Sequence, residues 1–169
     1  MKKMNDLIKH LKEFWSKPKK GIHNDEETFF ELMCEFSSEK VETLDDFPFD
    51  IPEDLKDFWN NTKEAGLFID KKYGQWGLKI LSPDDALLIT REEKVARPYE
   101  YKNTELIIGY FIGDSDKLVI DCETNSLIKV LVSHPIDSRK DWEIISDSFK
   151  CFLILYAEKN GEKFWENNK

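Results

Sequence analysis

Three β-rich runs follow one another with only four residues between them, and that spacing constrains the fold more than any other feature of the chain. The runs extend from Thr104 to Ile112, from Lys117 to Cys122 and from Leu127 to Ser133. The breaks are Gly113-Asp114-Ser115-Asp116 and Glu123-Thr124-Asn125-Ser126. A parallel neighbour needs a crossover of about a dozen residues or more. A short polar break can only turn the chain back on itself, so the runs predict an antiparallel meander. Upstream, residues 75–81 alternate well enough for another strand, with Trp76, Leu78 and Ile80 on one side. A short run near Trp142 to Ile145 offers one more.

Helical patterns flank the meander. Met4, Leu7, Ile8, Leu11 and Trp15 fall on one helical stripe, with lysines on the other face and Pro18 and Gly21 as the stop. A second helix is predicted after Asn24, a good N-cap. Asp25, Glu26 and Glu27 would stand in its first turn, Phe29, Met33 and Phe36 would point inward, and it would end near Lys40. Pro52 with Glu53 and Asp54 opens a third, whose apolar face is Leu55, Phe58 and Trp59 and whose exit is Gly66. Ser82-Pro83 opens a fourth. The last begins around Ser146 or Ser148 and carries Phe149, Phe152, Leu153 and Tyr156 inward. Helices, then a meander, then a closing helix read as α+β rather than doubly wound. With 169 residues, no internal repeat and no long linker, residues 1–169 are expected to form a single domain.

Charge narrows the function. The net charge is −9, which repels phosphates and argues against nucleic acid as a direct ligand and against an anionic membrane surface. Residues 1–20 hold seven Lys against Asp6 and Glu13, a balance of +5, whereas residues 25–57 hold thirteen acids against Lys40 and Lys56, a balance of −11. A basic amphipathic helix can bind membranes or partners, but in so acidic a chain a docked surface helix is the better reading. A basic protein is the partner an acidic surface attracts. No apolar run fits a signal peptide or a membrane span, so a cytoplasmic location is expected. Cys34, Cys122 and Cys151 are odd in number, lack close spacing and sit in apolar or periodic contexts, which reads as buried reduced thiols.

Chemistry-bearing motifs are missing from the sequence. His10, His23 and His134 lie in no zinc-ligand spacing. Asp114-Ser115-Asp116 begins like a calcium loop, but Leu118 stands where an oxygen ligand is required and Val119 where glycine is. There is no glycine-rich phosphate loop and no nucleophile elbow. No catalytic residue, metal ligand or cofactor is therefore assigned. Carboxylates are so abundant that no pair points to acid–base work without a pocket and perturbed pKa values, which leaves a hydrolase as the weakest alternative.

Several segments taken together resemble the SUKH superfamily, which includes fungal cell-wall synthesis regulators and many bacterial immunity proteins. The resemblance starts at Ile51, Pro52, Leu55 and Phe58 with Gly66, and continues through Trp76 and Leu81-Ser82-Pro83. It then runs through Ile108-Gly109, Gly113-Asp114, Leu118 and Ile120-Asp121, and finishes at Ser148-Phe149 and Phe152-Leu153. It spans roughly residues 25–158; the basic helix at 1–16 is outside it, and the Gly-Asp-Ser-Asp turn is poorer in glycine than in many relatives. The resemblance implies an α+β domain with helices packed around a mixed, largely antiparallel sheet. It also implies protein binding without catalysis, in bacterial members the neutralisation of a toxin, often a nuclease. An intracellular scaffold or regulator of cell-wall synthesis is the alternative. Leu55, Phe58, Trp76, Phe149 and Phe152 are expected to define the core, and Pro52, Gly66, Gly109 and Gly113 to shape the backbone. The candidate partner contacts are loop residues: Asp45, Asp46, Asp50, Asp70, Asp114 and Asp116, with Tyr73 as an aromatic anchor.

Overall fold

A computed structural model describes residues 3–123 and 128–168. Helix α1 (Met4–Phe14) is followed by a small hairpin, β1 (Ile22–His23) and β2 (Glu26–Glu27), and by β3 (Leu32–Phe36). Then come α2 (Glu53–Asn61), β4 (Ala65–Asp70), β5 (Leu78–Ile80) and α3 (Pro83–Ala96). The chain closes with β6 (Glu105–Phe111), β7 (Lys117–Asp121), β8 (Lys129–Ser133), β9 (Glu143–Ser146) and α4 (Phe149–Glu158). Strands β3 to β9 form one seven-stranded sheet in sequence order, antiparallel at every described pairing. The fold is α+β, as the sequence predicts. The first expected meander turn is seen; the second, at 123–126, lies outside the described residues except for Glu123.

Successive residues of a strand face opposite sides of a sheet. Leu118, Val119 and Ile120 are all fully buried, so both faces of the meander are covered. Helix α3 packs on β6, while α1, α2 and α4 pack on one another. Phe58 of α2 meets Phe149 of α4 edge to face at 5.6 Å. Ser82 Oγ accepts from the Asp85 N–H and Ser148 Oγ from the Cys151 N–H; the first is the cap the sequence predicts, and the second decides between Ser146 and Ser148 at the start of α4. The stripe of α1 is buried. The chain leaving α1 runs alongside β3: the Cys34 N–H donates to the Trp15 carbonyl, and Lys19 and Leu32 exchange both backbone bonds.

Two expectations are corrected. No helix occupies residues 25–40. Asn24 and Asp25 have φ of 50° and 62°, the left-handed pair of a two-residue hairpin turn, so Glu26 and Glu27 pair back onto Ile22 and His23. Of the acids that look like a favourable first helical turn, Asp25 sits in the hairpin turn and Glu26 and Glu27 are strand residues, and Phe29, expected inward, is 84% exposed. Gly66 does not close α2, which ends five residues earlier. It lies inside β4, a strand the sequence did not announce, where a Cβ would come within 2.8 Å of the Ile69 side chain. Phe68 has a φ of 52°, at the bulge where β4 shifts register against β3. Its N–H donates to Cys34 Sγ, and its ring meets those of Trp15 and Tyr156 edge-on at 4.9 and 5.6 Å.

Candidate functional site

An antiparallel meander sends alternate connections to opposite ends of the sheet. Leu32 pairs with Asp70 at one end of β3 and Phe36 with Ala65 at the other. The seven predicted contact residues are thereby divided. Asp45, Asp46 and Asp50 stand on the loop after Phe36. Asp70, Tyr73, Asp114 and Asp116 stand at the far end, where Gly113, at a φ of 98°, packs its backbone against the Gln75 carbonyl.

At the far end the acids are engaged internally. Asp70 is 2% exposed and accepts from the N–H groups of Glu31, Lys72, Tyr73 and Gln75 at 3.0–3.3 Å. Burial by itself raises its carboxyl, but these four donors outweigh burial and hold the pKa below the ordinary value. Asp116 is buried and sits 2.8 Å from His134 Nδ1. Asp114 is paired with Lys163, whose ammonium lies 5.2 Å from the Trp76 ring centre and 5.1 Å from that of Phe111. Trp76 donates to the Gly161 carbonyl at 2.9 Å and stacks on Phe30 at 5.3 Å. Asp70 and Asp116 are thus corrected from partner contacts to staples of the turns, because backbone donors and a histidine occupy their oxygens. Tyr73, 55% exposed, remains open.

The opposite end is built differently. From Ser37 to Pro52 the chain forms neither helix nor strand, as the acids and the Phe47-Pro48-Phe49 sequence dictate: proline withholds an N–H and disfavours a helical residue before it. The loop is tied at its start, where Thr62 Oγ1 donates to the Ser37 carbonyl and Lys63 pairs with Glu39 at 3.2 Å. Near its end, Phe47 stacks on Trp59 at 5.6 Å and Ile51 is buried. Between these ties Glu42, Asp45, Asp46 and Asp50 are exposed, and among the described residues none has a cation within ion-pair distance. A hollow of about 680 Å³ is lined by Leu44, Asp45, Phe47, Pro48, Phe49, Asp50, Ile51 and Lys56. A second, of about 420 Å³, shares Asp50, Ile51 and Lys56 and reaches Asp54 and Ile128. The aromatic wall was not among the predicted contacts. A Phe-Pro-Phe sequence inside an acidic run is the signal that could have revealed it.

A pair of carboxylates with divergent pKa values does exist, but inside the fold. Glu105 and Asp121 are directly opposite on β6 and β7. Burial pushes Glu105 up. Asp121 is held down against burial, chiefly by Lys102 and Thr104. Such divergence can serve acid–base catalysis. Here both residues are at most 1% exposed, and all four oxygens have donors: the Lys102 N–H and Arg139 on Glu105, and Lys102 Nζ, Thr104 Oγ1 and the Glu123 N–H on Asp121. The arrangement ties strands rather than receiving a substrate. Burial also pushes the Cys34 and Cys122 thiols up to about 12, away from the thiolate a nucleophile needs, while Cys151, expected buried, is exposed. Among the described residues no group of three or more His, Cys, Asp or Glu is placed to hold a metal, and no helix is long and apolar enough to cross a membrane. No family model, no curated protein and no solved structure matches this chain.

Proposed function

We propose that this chain is a non-catalytic protein-binding domain, a SUKH-type bacterial immunity protein acting in the cytoplasm, and that its acidic end occludes a basic toxin domain. The observation that carries this reading is the contrast in carboxylate use. Asp45, Asp46 and Asp50 are exposed at a hollow that Phe47 and Phe49 help to line, whereas Asp70, Asp116, Glu105 and Asp121 are consumed within the fold. Exposed carboxylates next to half-buried aromatic rings combine electrostatic steering with an apolar anchor, the usual division of labour in a protein interface. A nuclease is the fitting toxin, since a surface made to hold phosphates also attracts carboxylates.

The decisive experiment is co-purification with the toxin domain encoded beside this chain. A stoichiometric complex and survival of toxin-exposed cells are expected, both weakened by Asp45→Asn, Asp46→Asn and Asp50→Asn combined. Failure to bind any such domain, together with no protection, sinks the immunity reading. Recovery of several host cell-wall synthesis proteins in its place would move the function to the regulator alternative.

A further inference from the structure

The hollow between Leu44 and Ile51 combines carboxylates with apolar side chains, and more of its exposed lining is polar than apolar. Phe47, Pro48, Phe49 and Ile51 line it, with Asp45 and Asp50 beside them. Phe47 is braced by Trp59, its ring 5.6 Å away and inclined by 27°; the indole of Trp59 is in turn held by the Leu81 carbonyl at 3.0 Å. The Phe47 ring is therefore fixed before any partner arrives, which lowers the ordering cost of binding. Lys56, the one cation among the lining residues, is drawn to Glu53 at 2.8 Å, so no lining cation is paired with Asp45 or Asp50.

A ligand for such a seat must be cationic, flat and willing to leave water. A guanidinium meets all three demands: it is weakly hydrated, stacks on aromatic rings and forks onto carboxylates. An ammonium is compact and strongly hydrated, and gains less from the rings. We propose that this hollow seats an arginine side chain presented by an extended basic segment of a protein partner. The inference rests on the acidic end being the partner face, and it specifies the chemistry that face reads.

The test is an NMR titration of the intact protein with the capped peptide Gly-Arg-Gly-Arg-Gly and its lysine and citrulline counterparts, at about 0.15 M salt to screen diffuse attraction. The arginine peptide is expected to shift the Phe47 and Phe49 ring signals and the Trp59 indole, and to bind about threefold to fivefold more tightly than the lysine peptide. The neutral citrulline peptide should not saturate. Phe49→Ala and, separately, Asp50→Asn should each weaken the arginine peptide, while Tyr99→Ala, at an exposed ring that does not line the hollow, leaves it unchanged; a thermal melt checks that each variant is folded. Equal response to arginine and lysine, shifts spread over the whole acidic loop, indifference to both Phe49→Ala and Asp50→Asn, or no binding at all would overturn the seat. A toxin that binds the acidic end without arginine preference removes the seat and leaves the proposed function. An arginine seat in a chain that binds no toxin does the reverse.

Discussion

The two ends of the sheet are made of the same materials, acids and aromatic rings on connecting segments, and use them oppositely. At the end carrying residues 71–76 and 113–116, Asp70 holds four backbone N–H groups, Asp116 meets His134, and Asp114 meets a lysine set between Trp76 and Phe111. At the end carrying residues 37–52, Asp45, Asp46 and Asp50 are exposed, and rings of the same type line a hollow. A carboxylate belongs to the fold when donors surround it and is available for recognition when they do not. Residue type does not decide the matter; the local supply of N–H groups and cations does.

This contrast can be broken or sharpened by substitution, and the effects should fall in a definite order. The largest is expected at Phe68, whose buried ring joins Trp15 to Tyr156: Phe68→Ala should lower stability by about 3–5 kcal/mol in denaturant unfolding. Asp70→Ala comes next, at about 3 kcal/mol, because it orphans the donors of the turn. The sign of its pH dependence follows from its lowered folded pKa. The stabilisation from Asp70 is complete above the unfolded value of about 3.9 and is lost as pH falls through the folded value below that. Asp70→Asn should therefore flatten the acid limb of the stability curve, and an unchanged limb would show that Asp70 is not the staple described.

Asp54→Ala should cost about 1–2 kcal/mol. Asp54 Oδ2 accepts from Ser148 Oγ and the Lys150 N–H at the start of α4. Smallest is the triple change Asp45→Asn, Asp46→Asn and Asp50→Asn, expected to alter stability by less than about 0.5 kcal/mol. The same variant should slow association with a basic partner and weaken the salt dependence of that rate, read by stopped-flow mixing. A large stability loss there would erase the distinction between the two ends.

Much of this was legible in the sequence. The meander followed from break length and the serine cap of α3 from local chemistry at Ser82, while the start of α4 was narrowed only to Ser146 or Ser148. Strand β4 was hidden because Gly66 imitates a helix exit, while its requirement comes from the packing of the Ile69 side chain three residues further along the strand. The region 22–36 misled because Asn24 suits both a helix cap and a left-handed turn, and only the pairing of Ile22 and His23 with the acids that follow decides between them. At the candidate site, Asp45, Asp46 and Asp50 are exposed loop residues, and their part in recognition is the proposal made above. Asp70 was not separable from them, because its four donors come from residues 31, 72, 73 and 75, of which the first is remote in the chain.

The segment that leaves α1 and lies along β3 gives the first twenty residues a job unrelated to any ligand. Without Trp15 and Lys19, the Leu32–Phe36 amides would become a vacant template, and a vacant template recruits a strand from the next molecule. A shortened chain is therefore expected to polymerise, seen as light scattering that rises with concentration, while the full chain stays clear. On this account the lysine-rich start of the protein is a guard against self-recruitment.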